Sequence, residues 1–187
     1  MVSFVRRTGG VMLLAVTLGL ALVVIGPAPA RAVGVNQPAP DFRLPSTTGG
    51  EISLGDFRGK KWVFLEFYGA DFAPTGAGDL SARMADYKCF EALSIQILGA
   101  SSSFTFSQQP FAQSLKLPFP LLSDFPDRKV IRSYEVLNER SMTAHRSFFL
   151  IDRPGIVRKK WIVPDGATTI VPSDPLLREI EEIVAKR

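Results

Sequence analysis

Cys89 is the only cysteine of the 187-residue chain and His145 its only histidine. Nucleophilic or redox chemistry must therefore pass through one of them or do without both. A thiolate attacks peroxides and disulfides when a helix N-terminus or a nearby cation lowers its pKa. With one cysteine no intramolecular disulfide can form, while an intermolecular one stays open. His145 adjoins Arg146 and would suit a general base. A single histidine with no cysteine or second histidine beside it is more often structural, and no metal-ligand spacing occurs along the chain. Ser147 follows His145 without the nucleophile-elbow pattern of a Ser-His-Asp hydrolase. The remaining candidate is the loop FYGADFAPTGAGDL, residues 67–80, at a strand-to-helix passage where a reactive group would gain from the helix's positive end. No Gly-Lys-Ser/Thr follows Gly76, so it is no Walker loop, and it holds no cysteine.

The elements that must position these residues are legible from periodicity. WVFLEFY, residues 62–68, is a nearly continuous apolar run and reads as a central buried strand. Before it, Phe42, Leu44, Ile52 and Leu54 around Gly49-Gly50 predict a β-hairpin. After the loop, Leu80, Met84, Tyr87 and Phe90 recur at steps of three or four, which predicts one helix over residues 79–93. SIQILGASS reads as a second buried strand, QQPFAQSLKL as a short helix, LPFPLLSD as an extended segment ending at Asp124, and DRKVIRSYEVL as a helix. HRSFFLIDRPGIVRKKWIV reads as a hairpin turning at Arg153-Pro154-Gly155. The last element is a helix with Asp174 as N-cap and Pro175 at its first position, presenting Leu176, Leu177, Ile180, Ile183 and Val184. Strands alternating with helices, and a hairpin before the final helix, predict an α/β fold: a central mixed β-sheet flanked by helices, with an N-terminal β-hairpin, in a thioredoxin-like layout.

Residues 1–32 differ from the rest. Arg6 and Arg7 precede an apolar run from Val11 to Ile25, and Ala30-Arg31-Ala32 forms a small-x-small cleavage site. This predicts a signal peptide at 1–32 and one domain at 33–187, exported to a periplasmic or extracellular location. The run is shorter than the roughly 20 residues that span a bilayer, so membrane attachment is expected only if the signal stays uncleaved. The leader holds three of the 22 Lys and Arg and none of the acids, leaving 19 basic against 18 acidic residues, a net +1. That balance gives no support to nucleic-acid binding, and Arg158-Lys159-Lys160 reads as a solvated strand face.

Several segments in order carry a family resemblance. VGVNQPAPDFRLPSTTGGEISLGDFRGKKWVFLEFYGADFAP resembles the opening of peroxiredoxins of the alkyl hydroperoxide reductase / thiol-specific antioxidant group, the bacterioferritin-comigratory subgroup especially. LPFPLLSD, SYEVL and HRSFFLIDRPGIVR continue it, so the likeness covers about residues 34–165. The disulfide oxidoreductases that share the fold would show Cys-x-x-Cys in the loop, whereas here Arg146 precedes Ser147-Phe148-Phe149-Leu150-Ile151-Asp152 in the peroxiredoxin manner.

The resemblance implies thiol-dependent peroxide reduction, with a Pro-x-x-x-Thr-x-x-Cys pattern in the loop. On this chain the proline position is Gly69, the threonine Ala73 and the peroxidatic cysteine Gly76; the resolving cysteine of some members falls on Ser81. Only Arg146 and the acid near the helix start, Asp79, are retained. This is a degenerate member, and glycine offers no atom to attack with. Cys89, thirteen residues past Gly76, would lie about 20 Å away on a continuous helix and off its buried stripe; it reads as a partly buried or surface thiol. The expected function is therefore a non-catalytic binding or interaction protein, without cofactor, whose partner is a protein or small anion. The alternative is an antioxidant oxidoreductase working through Cys89 or a partner's cysteine. An anion site is expected at Gly76, Gly78 and Arg146, against the alternative, favoured, that Arg146 pairs with Asp79. A homodimer stays open, since nothing in the chain fixes oligomeric state.

Overall fold

The computed structural model describes residues 33–186; the leader expected at 1–32 lies outside them. The chain opens with the predicted hairpin, β1 (Arg43–Pro45) and β2 (Glu51–Ser53), in which Leu44 faces Ile52. Gly49 and Gly50 turn it with φ of 90° and 64°, values that suit glycine. A 3-10 turn at Leu54–Phe57 leads into β3 (Trp62–Phe67), buried along its whole length.

Helix α1 (Pro74–Ala85) follows, then α2 (Tyr87–Ala92) and β4 (Ile95–Ser101). The single helix expected over 79–93 is thus two, begun earlier and broken at Asp86. The expected face is kept across the break: Leu80 and Phe90 are buried in one core, with Met84 and Tyr87 packed against it. Helix α3 (Thr105–Ser114) starts upstream of the expected QQPFAQSLKL, and β5 (Leu121–Ser123) ends beside Asp124 as predicted. Helix α4 (Lys129–Ser133) stops well short of the expected Leu137, because Glu135 takes φ of 58° and the Val136 amide bonds back to Ile131. Short strands β6 (Leu137–Asn138) and β7 (Thr143–Ala144) pair with each other. Then β8 (Ser147–Ile151) and β9 (Val157–Ile162) form the predicted hairpin, with Gly155 at φ of 91°. Helix α5 (Ser173–Ala185) begins before the expected cap, so Asp174 lies in its first turn. Ser173 is helical already because its buried hydroxyl donates to Ala82 O of α1.

The main sheet has the order β5-β4-β3-β8-β9, with β3, β4 and β5 parallel and β8 and β9 antiparallel. Val63, Leu65 and Phe67 face a core shared with the first hairpin and α4; Phe64 and Tyr68 face one shared with α1, α2, α3 and α5. A strand buried on both faces has no reason to alternate. Edge strand β9 does alternate, and Arg158, Lys159 and Lys160 are spent there on Asp152, Glu179 and Val33 O. No helix among the described residues is long and apolar enough to cross a membrane.

One residue of β3 breaks the apolar pattern. Glu66 points into the second core and meets Arg83 of α1 at 3.2 Å, both side chains sealed from solvent. Arg83 also donates to Ser173 Oγ at 2.6 Å and to Val171 O, so one guanidinium joins sheet, α1 and the start of α5. Glu66 Oε1 has no hydrogen-bond partner. Burial pushes the Glu66 carboxyl from 4.5 up to about 7, with Arg83 pulling the other way. Between those values the folded state holds its proton more tightly than the unfolded chain. The resulting stability, about 3 kcal/mol, is fully present below pH 4.5 and is lost as pH rises through about 7. Glu66→Gln removes this term, so urea unfolding measured from pH 4 to 8 will show a shallower fall in stability for the variant. Parallel curves for the two proteins would refute the assignment.

Candidate functional site

The loop after β3 is pinned rather than loose. Tyr68 is buried beneath it and donates to Asp71 Oδ1 at 2.9 Å, while Ser107 Oγ of α3 donates to Asp71 Oδ2 at 2.7 Å. Burial, then the Asp71 charge, push the Tyr68 phenol well above its ordinary pKa, which removes it as an acid–base candidate. Phe72, at φ of 59°, faces outward with 60% of its surface exposed. Pro74 then starts α1 without a side-chain cap, since Ala73 has no oxygen to offer.

Gly76 lies in the first turn of α1 and is buried. A Cβ placed there would meet Ala70 O at 3.5 Å and Tyr68 Cδ2 at 3.5 Å, which is ordinary contact. Gly78 is different: a Cβ there would stand 2.0 Å from Ile170 Cδ1. Gly69 closes the far side of the loop, with Ala144 O 3.8 Å from where its Cβ would be.

The structure brings Arg146 to this helix start and spends it there. Its Nε donates to Asp79 Oδ2 at 2.8 Å and its Nη2 approaches the same oxygen at 2.6 Å. Nη1 donates to Ala167 O at 2.8 Å and Nη2 to Thr169 O at 2.9 Å. Asp79 Oδ1 in turn accepts the Val171 amide at 2.8 Å. The pairing of Arg146 with Asp79 is therefore the alternative that the geometry realises. An anion at Gly76, Gly78 and Arg146 would have to displace Asp79 and the carbonyls of Ala167 and Thr169 from the guanidinium.

Beside this pair is a cavity of about 230 Å³ lined by Ala73, Thr75, Asn138, His145, Arg146 and the segment from Val163 to Ala167. His145 Nδ1 lies 2.5 Å from Asp165 Oδ1. Thr75, Asn138 and Asp165 went unnoticed in the sequence, where they sit far apart and share no spacing. Cys89 is exposed on α2 and lines no part of the cavity. Ser81 lies on α1 beyond Asp79 and Leu80. Among the described residues no three of His, Cys, Asp and Glu converge as a metal site. The cavity thus offers neutral hydrogen-bonding groups and an ion pair, and no thiol.

Known proteins place the chain. The AhpC/TSA family model matches residues 35–160. Peroxiredoxin 2 of Thermoplasma acidophilum is 33% identical over 155 residues, covering 80% of this chain and 75% of the relative. The putative peroxiredoxin bcp of Coxiella burnetii is 32% identical over 136 residues, covering 70% and 89%. The crystal structure of reduced Plasmodium vivax 2-Cys peroxiredoxin superposes with a TM-score of 0.73 at 26% identity, covering 81% of this chain and 97% of that one. The chain belongs to the AhpC/TSA, or peroxiredoxin, family and has its thioredoxin-like α/β fold.

Proposed function

We propose that this chain is an exported peroxiredoxin-fold protein that binds a partner instead of reducing peroxide. One observation carries the reading: position 76, buried at the start of α1 where the family likeness places the attacking thiol, is a glycine. Peroxide reduction by a thiolate ends in a sulfenic acid on the attacking sulfur, and no serine or threonine hydroxyl can replace that chemistry at neutral pH. Cys89 lies on the far side of the break at Asp86, on an exposed face, away from Arg146 and the cavity. The partner surface is aromatic. Phe72, Phe104 and Phe106 are all solvent-exposed around the loops after β3 and β4, and Phe104 also stacks on Phe125. A second copy of the chain or another protein could bury them.

The family chemistry, thiol-dependent peroxide reduction through Cys89, is the second reading, supported by the relatives' names and the exposure of that thiol. Peroxide consumption with a dithiol reductant separates the two. Native protein and Cys89→Ser are expected to match the buffer rate, and Gly76→Cys, whose Cβ fits the available space, to rise above it. Turnover by native protein that disappears in Cys89→Ser would overturn the binding reading. Export is checked by the mass of the protein recovered from outside the cytoplasm. Cleavage after Ala32 gives a chain starting at Val33; full-length mass from the cytoplasm alone would rule it out.

A further inference from the structure

The segment from Pro164 to Val171 joins β9 to α5, and its first half, Pro164 to Ala167, lines one wall of the cavity. Its residues are exposed or half-buried, so little apolar burial holds it down. What holds it is polar. Arg146 donates to Ala167 O and Thr169 O, Asp79 accepts from the Val171 amide, Arg83 donates to Val171 O, and His145 pairs with Asp165. The one apolar seat is Ile170 on Gly78, a fit that only a residue without Cβ permits. Prolines stand at both ends, Pro164 and Pro172, and Gly166 between them has φ of 77°. A segment fixed at a few points to buried charges, with stiff ends and a flexible joint, has two discrete arrangements open to it, bonded or released.

From these contacts we infer that Pro164–Val171 is a lid over the Arg146 guanidinium and the start of α1, and that Arg146 with Asp79 is its latch. The carbonyls of Ala167 and Thr169 hold the guanidinium donors that a ligand's oxygens would otherwise take. A ligand reaches the Arg146 donors by displacing the lid, so its affinity is set by latch strength as much as by its own contacts. The lid's purpose rests on the proposed binding role, while its motion is measurable with no ligand present.

Amide hydrogen exchange on the whole chain tests it. In native protein the Val171 amide should exchange faster than the amides of β3 and β4, because the lid opens without global unfolding. Arg146→Ala removes the latch and should speed exchange of Val171 about 10- to 100-fold, the range for losing charge-assisted hydrogen bonds, with β3 and β4 unchanged. Should Arg146→Ala fail to fold, Gly78→Ala displaces Ile170 without touching a charge and should act in the same direction. Val171 exchanging in step with the central strands, or at the same rate in native and unlatched proteins, would overturn the lid. Neither result bears on peroxide turnover, so the two proposals fail separately.

Discussion

Two buried ion pairs of opposite orientation govern how α1 sits. Glu66 of the sheet holds Arg83, and Asp79 of the same helix face holds Arg146. Burying four charges is costly, and a buried pair repays that cost only when its remaining donors and acceptors are also bonded. Here the surplus donors of both guanidiniums go to the same stretch of chain: Arg83 to Val171 O and Ser173 Oγ, Arg146 to Ala167 O and Thr169 O. The segment between β9 and α5 is therefore not an incidental loop. Without the stretch Ala167–Ser173, each arginine would keep its carboxylate partner and lose two of its three hydrogen bonds, so the charge layer and the segment depend on one another.

The charge of Arg146 is met within the same arrangement. Asp79 neutralises it from the second turn of α1, and the backbone carbonyls of Ala167 and Thr169 take the remaining donors. The carboxylate that satisfies Arg146 also offsets the positive field that the guanidinium and the α1 N-terminus would otherwise present together.

The sheet and its hairpins were legible because their signals are local: apolar runs, Gly49-Gly50, and Arg153-Pro154-Gly155 each state their element within a few residues. Helix ends were read less well, because tertiary contacts set them. The tie from Ser173 to Ala82 starts α5 before Asp174. At the site, the residues that carry a family likeness could be placed by number, and Arg146 and Asp79 did meet. What could not be read was Glu66 facing Arg83, Asp165 reaching His145, or Ile170 lying on Gly78. Each joins residues remote in the chain, and no spacing rule links a strand residue to a side chain two elements away.

The two helical glycines show which of the loop's departures the fold requires. Glycine inside a helix costs about 1 kcal/mol relative to alanine, so each needs an account. At Gly78 the account is steric: an added Cβ would meet Ile170 Cδ1, so this exposed side chain would have to shift to admit it. At Gly76 no such demand exists, since the nearest atoms to an added Cβ stand at ordinary contact distance from Ala70 and Tyr68. Packing thus accounts for Ile170 lying on Gly78 and places no such demand on Gly76, where a larger residue would fit against Ala70 and Tyr68 without moving them.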